Sequence, residues 1–83
     1  MKLLYFAWVR ERIGRAEEEL DPPSDVATVG DLVDWLKGRG PEYEFALGEP
    51  TAIRVALDRV HAERSMPIGG AREVALFPPM TGG

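Results

Sequence analysis

Arg72-Glu73-Val74-Ala75-Leu76-Phe77-Pro78-Pro79-Met80-Thr81-Gly82-Gly83 closes the 83-residue sequence, and it joins a strand, a break and a tail. Val74 to Phe77 is a short apolar run with strand character. Pro78 and Pro79 cannot donate to a ladder and bias the chain toward an extended path. The expected organisation is a folded body over residues 1–77 and an extended tail over 78–83. Met80 to Gly83 would reach about 13 Å when extended. Glycine has no Cβ, so Gly82-Gly83 can thread a narrow tunnel that excludes other residues. The reactive group of such a tail is the α-carboxylate of Gly83, a poor acyl donor until activated, typically as an acyl-adenylate. Gly-Gly alone leaves two readings open, a frayed end and a C-terminus that is itself a substrate. By itself it favours the frayed end.

Working outward, the last strand needs a neighbour, and the first nine-residue apolar stretch supplies one. Lys2 to Arg10 reads as a strand that is apolar on both alternating faces. Leu3, Tyr5, Ala7 and Val9 form one set; Leu4, Phe6 and Trp8, between Lys2 and Arg10, form the other. A central strand covered on both sides would look like this. So would a one-layer sheet that leaves Leu4, Phe6 and Trp8 exposed as a partner site. Only one helix looks available to cover a sheet, so the second reading is adopted.

Glu11 to Gly14 reads as a turn or short helical crossover, and Arg15 to Asp21 as a charged edge strand exposing Glu17 to Glu19. Pro22-Pro23-Ser24-Asp25 breaks it. Thr28 opens the clearest helix, with Asp31 completing a capping box and Val29, Leu32, Val33 and Leu36 on one buried stripe. Trp35 lies beside the stripe as packing. Gly38, Gly40 and Pro41 stop the helix, and Glu42 to Leu47 suits one more helical turn. Thr51 to Leu57 is a third strand, Asp58 turns the chain into a short strand around Val60, and Arg72 to Phe77 is the last. A right-handed crossover between the halves gives an α+β, β-grasp (ubiquitin-like) mixed sheet packed on one main helix. The first and last strands lie side by side at its centre.

Composition removes several function classes. There is no cysteine, hence no disulfide, thiol nucleophile or Cys-based metal site. His61 is the single histidine, which disfavours a His-based metal site or triad and reads as an ordinary strand or surface residue. The net charge of −4 without a basic patch argues against nucleic acid. No signal peptide, transmembrane run or lipidation motif is visible, so the expected location is cytoplasmic, with no membrane partner.

The chain resembles the small, sulfur-carrying subunit of molybdopterin synthase along nearly its full length. Phe6-Ala7 followed by Val9-Arg10-Glu11, Gly14, and Thr28-Val29 with Leu32 carry part of the match. Glu73 to Gly83 carries the most specific part, with Phe-Pro-Pro, a hydrophobic residue, Thr and Gly-Gly in order. Two departures are visible. The family often has Val-Asn where Val55-Ala56 stands, and an acidic residue where Arg72 stands.

The resemblance implies a mechanism. A ubiquitin-activating-like adenylyltransferase adenylates the Gly83 carboxylate with ATP, and a sulfur donor enzyme converts it to a thiocarboxylate. The large subunit, in a heterotetramer, then uses that sulfur on a pterin precursor in molybdenum cofactor synthesis. Gly83 carries the sulfur, Gly82 gives steric access, and Pro78-Pro79 aim the tail with Met80 and Thr81. Leu4, Phe6 and Phe77 supply the docking surface. No cofactor is expected on this chain; ATP belongs to the activating partner. The alternatives are a carrier for another pathway such as thiamine thiazole synthesis, a protein modifier joined to lysines through Gly83, and a plain interaction module.

Overall fold

The computed structural model describes residues 1–49 and 52–79. Met80, Thr81, Gly82 and Gly83 lie outside the described residues, as does the expected start of the third strand at Thr51. In chain order the elements are strand β1 (Lys2–Tyr5), helix α1 (Ala7–Ile13), strand β2 (Glu17–Glu19), helices α2 (Val29–Lys37) and α3 (Pro41–Leu47), and strands β3 (Arg54–Leu57), β4 (Val60–Ala62) and β5 (Glu73–Phe77). The five strands form one mixed sheet in the order β2-β1-β5-β3-β4. β5 is central, parallel to β1 and antiparallel to β3. The mixed sheet and its main helix are those of the β-grasp fold.

The helices occupy one face only. α2 buries Val29, Leu32, Val33 and Leu36, the stripe its spacing predicts. Its capping box is complete: Asp31 N–H donates to Thr28 Oγ1 at 3.1 Å, and Thr28 N–H donates to Asp31 Oδ2 at 3.2 Å. Tyr43, Ala46 and Leu47 from α3, and Val9 and Ile13 from α1, join the same core as Leu3, Tyr5, Val55, Val74 and Leu76. Each aliphatic side chain fully buried there contributes roughly 1.5–3 kcal/mol by leaving water.

Two expectations need correction. The first strand stops at Tyr5 rather than running to Arg10. Phe6 keeps extended angles and caps α1, Ala7 takes φ +52°, and the chain enters a helix. Val9 and Ile13, one turn apart, are what that helix buries. Gly14 ends it in the left-handed region at φ +92°, donating its N–H to the Arg10 carbonyl at 2.8 Å, a position suited to glycine. Trp8 therefore leaves the strand, and two short helices join the main one. The second correction concerns Glu18. It does not lie on an exposed edge with Glu17 and Glu19: its side chain is 7% exposed.

Glu18 points inward because β2 pairs antiparallel with β1 and sets Glu18 beside Leu3. There it accepts from Tyr43 at 2.6 Å, Tyr5 at 2.7 Å, and Arg39 and Arg15 at 3.0 Å. Burial works to raise its pKa, but the hydrogen bonds from Tyr43, Tyr5 and Arg39 outweigh it and hold the carboxyl below the usual range. Burial, followed by the bond to Glu18, pushes both tyrosine hydroxyls upward. The network ties the edge strand to α3 and to Arg39 just beyond α2.

At the other edge, Asp58 and Arg59 both have positive φ between the paired residues Leu57 and Val60. This is the two-residue hairpin turn whose twist suits flanking strands. Asp58 Oδ1 accepts from the N–H groups of Arg72 and Glu73, each at 3.0 Å, fixing where β5 begins.

Candidate functional site

The face of the sheet away from the helices is built by strict alternation. In β5, Val74 and Leu76 turn inward, so Glu73, Ala75 and Phe77 turn outward. In β1, Leu3 and Tyr5 turn inward, so Lys2 and Leu4 turn outward. Register assembles these into rows. Leu4 sits beside Ala75, and Ala75 beside Ala56, which is opposite His61. Phe6 N–H donates to the Leu76 carbonyl at 3.1 Å, extending the β1–β5 pairing by one residue. That sets Phe6 alongside Phe77, with Arg54 on the far side of Phe77.

The result is an apolar strip along the two central strands. Phe6 is 46% exposed, and Leu4 and Phe77 are half-buried. Charges border it. Lys2 and Glu17 pair at 3.0 Å on one side, and Arg59 and Glu73 at 3.9 Å on another. Glu17, through its hydrogen bond first and its charge second, raises the Lys2 pKa. Strip and tail are continuous in the chain, because Phe77 is the last residue of β5. Pro78 and Pro79, both half-buried, follow it directly.

Of the residues expected at the docking surface, Leu4, Phe6 and Phe77 share this face, and Pro78 and Pro79 lie at its exit. Met80, Thr81, Gly82 and Gly83 fall outside the described residues. Trp8, expected on the same face, lies on α1 instead. The sequence reading missed Ala75, Ala56, Arg54 and His61 as members of this face. Alternation within the third, fourth and last strands could have found them.

Among the described residues, no cluster of three or more His, Cys, Asp or Glu side chains is placed to hold a metal. Nor is any described helix long and apolar enough to cross a membrane. Two grooves open elsewhere. One of about 420 Å³ lies between α2 and β3–β4, lined by Val29, Val33, Ile53 and Arg64 among others. Another of about 340 Å³ lies between the β3–β4 hairpin and the 66–71 loop. Neither includes Leu4, Phe6 or Phe77. The open face has an apolar centre and a charged border, and the chain leaves it at Phe77.

Known proteins share both the sequence and this architecture. The ThiS family matches residues 3–83. The molybdopterin synthase sulfur carrier subunit of Dictyostelium discoideum is 32% identical over 82 residues, covering 99% of this chain and 94% of that protein. The subunit of the same name from Escherichia coli K12 is 32% identical over 83 residues, covering 100% and 99%. The solved structure of Haloferax volcanii small archaeal modifier protein 1 superposes with a TM-score of 0.73 at 28% identity, covering 96% and 97%.

Proposed function

The chain belongs to the ThiS family, and from that premise we propose that it is the sulfur-carrying subunit of a molybdopterin synthase. The observation that carries the reading is the extent of the family match, which continues to residue 83 and so takes in Gly82 and Gly83. Relatives matched over nearly their full length are named for that role.

On this reading Gly83 is the reacting residue. Its carboxylate oxygen attacks the α-phosphorus of ATP on an activating adenylyltransferase, releasing pyrophosphate. Sulfur from a donor enzyme then displaces AMP, leaving a thiocarboxylate. In the large subunit that sulfur passes to the pterin precursor, and water restores the carboxylate. Gly82 contributes the absence of a side chain, which lets the tail enter a narrow channel. Leu4, Phe6 and Phe77 form the surface that both larger partners cover, and Pro78 to Thr81 lead from it into their active sites. Catalytic groups, ATP and any metal are contributed by the partners.

Intact-mass measurement of the protein from its native host tests the chemistry, since replacement of one carboxylate oxygen by sulfur is the expected mark. Removal of Gly83 should abolish thiocarboxylate formation without lowering Tm. One residue moves the reacting carbon by about 3.3–3.6 Å, whereas attack needs atoms held roughly 3–3.5 Å apart. Full activity in the Gly83 deletion would sink the proposal.

The likeness to a small archaeal modifier protein favours a second reading, attachment of Gly83 to lysines of other proteins. Isopeptide-linked species in cells, lost on deletion of Gly83, are its expected sign.

A further inference from the structure

The helical layer carries a side-chain arrangement that neither the open face nor the tail uses. The guanidinium of Arg12 lies 4.4 Å from the centre of the Trp8 ring and 4.7 Å from that of Phe45. Trp8 stands one turn before Arg12 on α1, and Phe45 comes from α3, which packs against α1. The cation therefore lies against two aromatic rings from different helices. Trp8 is half-buried, Arg12 is exposed, and Phe45 is 65% exposed.

Fastening α1 to α3 explains part of this arrangement. It does not explain a phenylalanine left mostly in water. Among the described residues Arg15 and Arg39 close on Glu18, Arg59 on Glu73 and Arg64 on Asp34, whereas Arg10, Arg12, Arg54 and Arg72 have no carboxylate partner; of these four, Arg12 is the one set over aromatic rings. Among the described residues Arg12 makes no ion pair or hydrogen bond through its side chain, although the chain has 14 acidic residues against 10 basic ones.

A guanidinium set against aromatic rings keeps N–H donors in its own plane that the rings do not use. Those donors match a carboxylate in a two-bond fork. Contact with two rings restrains the side chain beforehand, so less rotamer freedom remains to be lost on binding. Tryptophan and arginine are also the residue types that dominate interface anchors. We propose that Trp8, Arg12 and Phe45 form a carboxylate-binding anchor for a protein partner on the helical layer. The group bound is an Asp or Glu side chain flanked by apolar residues.

Charge selects this occupant over a polyanion. Arg10, two residues before Arg12 on the same helix, does not share its face. Glu11 adjoins Arg12 in sequence. One cation against apolar walls suits a single carboxylate among apolar neighbours. A partner bound here contacts a different layer from one covering Leu4, Phe6 and Phe77, so it recognises the carrier independently of the tail.

The test is an NMR titration of the full chain with acetyl-Leu-Glu-Leu-amide, its Gln counterpart and sodium acetate. The Glu peptide should shift the Trp8 indole N–H, the Arg12 Nε–H and the Phe45 ring. It should bind about tenfold or more tightly than the Gln peptide, as expected for charge-assisted bonds. Arg12→Lys, which keeps charge but loses the fork, should weaken the Glu peptide by a similar factor, and Arg12→Gln should erase the preference for Glu. Phe45→Ala, which leaves the guanidinium in place, should weaken both peptides. Preserved amide dispersion in each variant separates these effects from unfolding. Equal binding of Glu and Gln peptides, or shifts away from these three residues, would overturn the proposal. So would acetate acting as strongly as the peptide, or dilution-dependent shifts at these residues in the free chain, which mark a free carboxylate or a second copy as the occupant.

Discussion

The two sides of β1 and β5 are built from the same strands and the same kinds of residue, and they have opposite fates. Leu3, Tyr5, Val74 and Leu76 are at most 1% exposed. Leu4, Phe6, Ala75 and Phe77, interleaved with them, all remain outside the buried class. What differs is the layer behind: three helices pack on the first set and no described element packs on the second. Alternation tells that a strand has two apolar faces. Only the placement of the helices tells which face is buried in folding and which is left open.

The sharpest way to break this contrast is to remove volume from the inward side. Leu76→Ala should cost roughly 2–5 kcal/mol of stability through lost burial and the cavity left behind, measured by urea unfolding. The fraction still folded should dock its partner normally. Almost as large is the effect of Glu18→Ala, which strands Tyr5, Tyr43 and Arg39 without their shared acceptor, at about 3 kcal/mol. Glu18 also gives the inward side a pH signature. Its folded pKa is depressed, so its contribution is complete above the unfolded value of about 4.3. It is lost as pH falls through the lower folded value. The Tm of the wild type should therefore fall more steeply with acid than that of Glu18→Gln; parallel curves would remove Glu18 as the cause.

How much of this contrast was legible follows from the range of the signals. Thr28 and Asp31 are three residues apart and announce the helix start by themselves, and the buried stripe of α2 follows from its own spacing. Leu4 and Phe6 were legible as outward residues because both precede the point where the strand ends. Trp8 was not, since Ala7 turns the chain into a helix and an alternating pattern cannot register that reversal. Val9 and Ile13, followed by Gly14, were the available cue. Glu18 was hidden for another reason: its hydroxyl partners lie 13 and 25 residues away. Nothing local distinguishes it from Glu17 and Glu19. Phe45 likewise becomes informative only when α3 brings it to Arg12.

The outward side should respond in the reverse manner. If the large subunit proposed above is its partner, Phe77→Ala is expected to weaken that association by about 2 kcal/mol, the scale of a central interface anchor. Its fold stability should change far less than in Leu76→Ala, because Phe77 is only half-buried whereas Leu76 is fully buried. Titration calorimetry for binding and urea unfolding for stability give both numbers on one sample. A variant that loses stability and keeps affinity would exchange the roles assigned to the two faces.

The smallest effect sharpens the comparison from the helical layer. Thr28 Oγ1 accepts the Asp31 N–H at 3.1 Å, satisfying one of the donors left open at the start of α2. Thr28→Ala removes that bond and should cost about 1 kcal/mol, read as a modest fall in the urea midpoint with an unchanged slope. Thr28 lies outside the open face, and the cap it forms orders the layer behind the sheet. Its loss should leave the affinity for the large subunit unaltered once the folded fraction is taken into account. If affinity fell together with stability, the outward strip would depend on how tightly the helices press from behind. The two sides of β1 and β5 would then act as one mechanical unit rather than as separate surfaces.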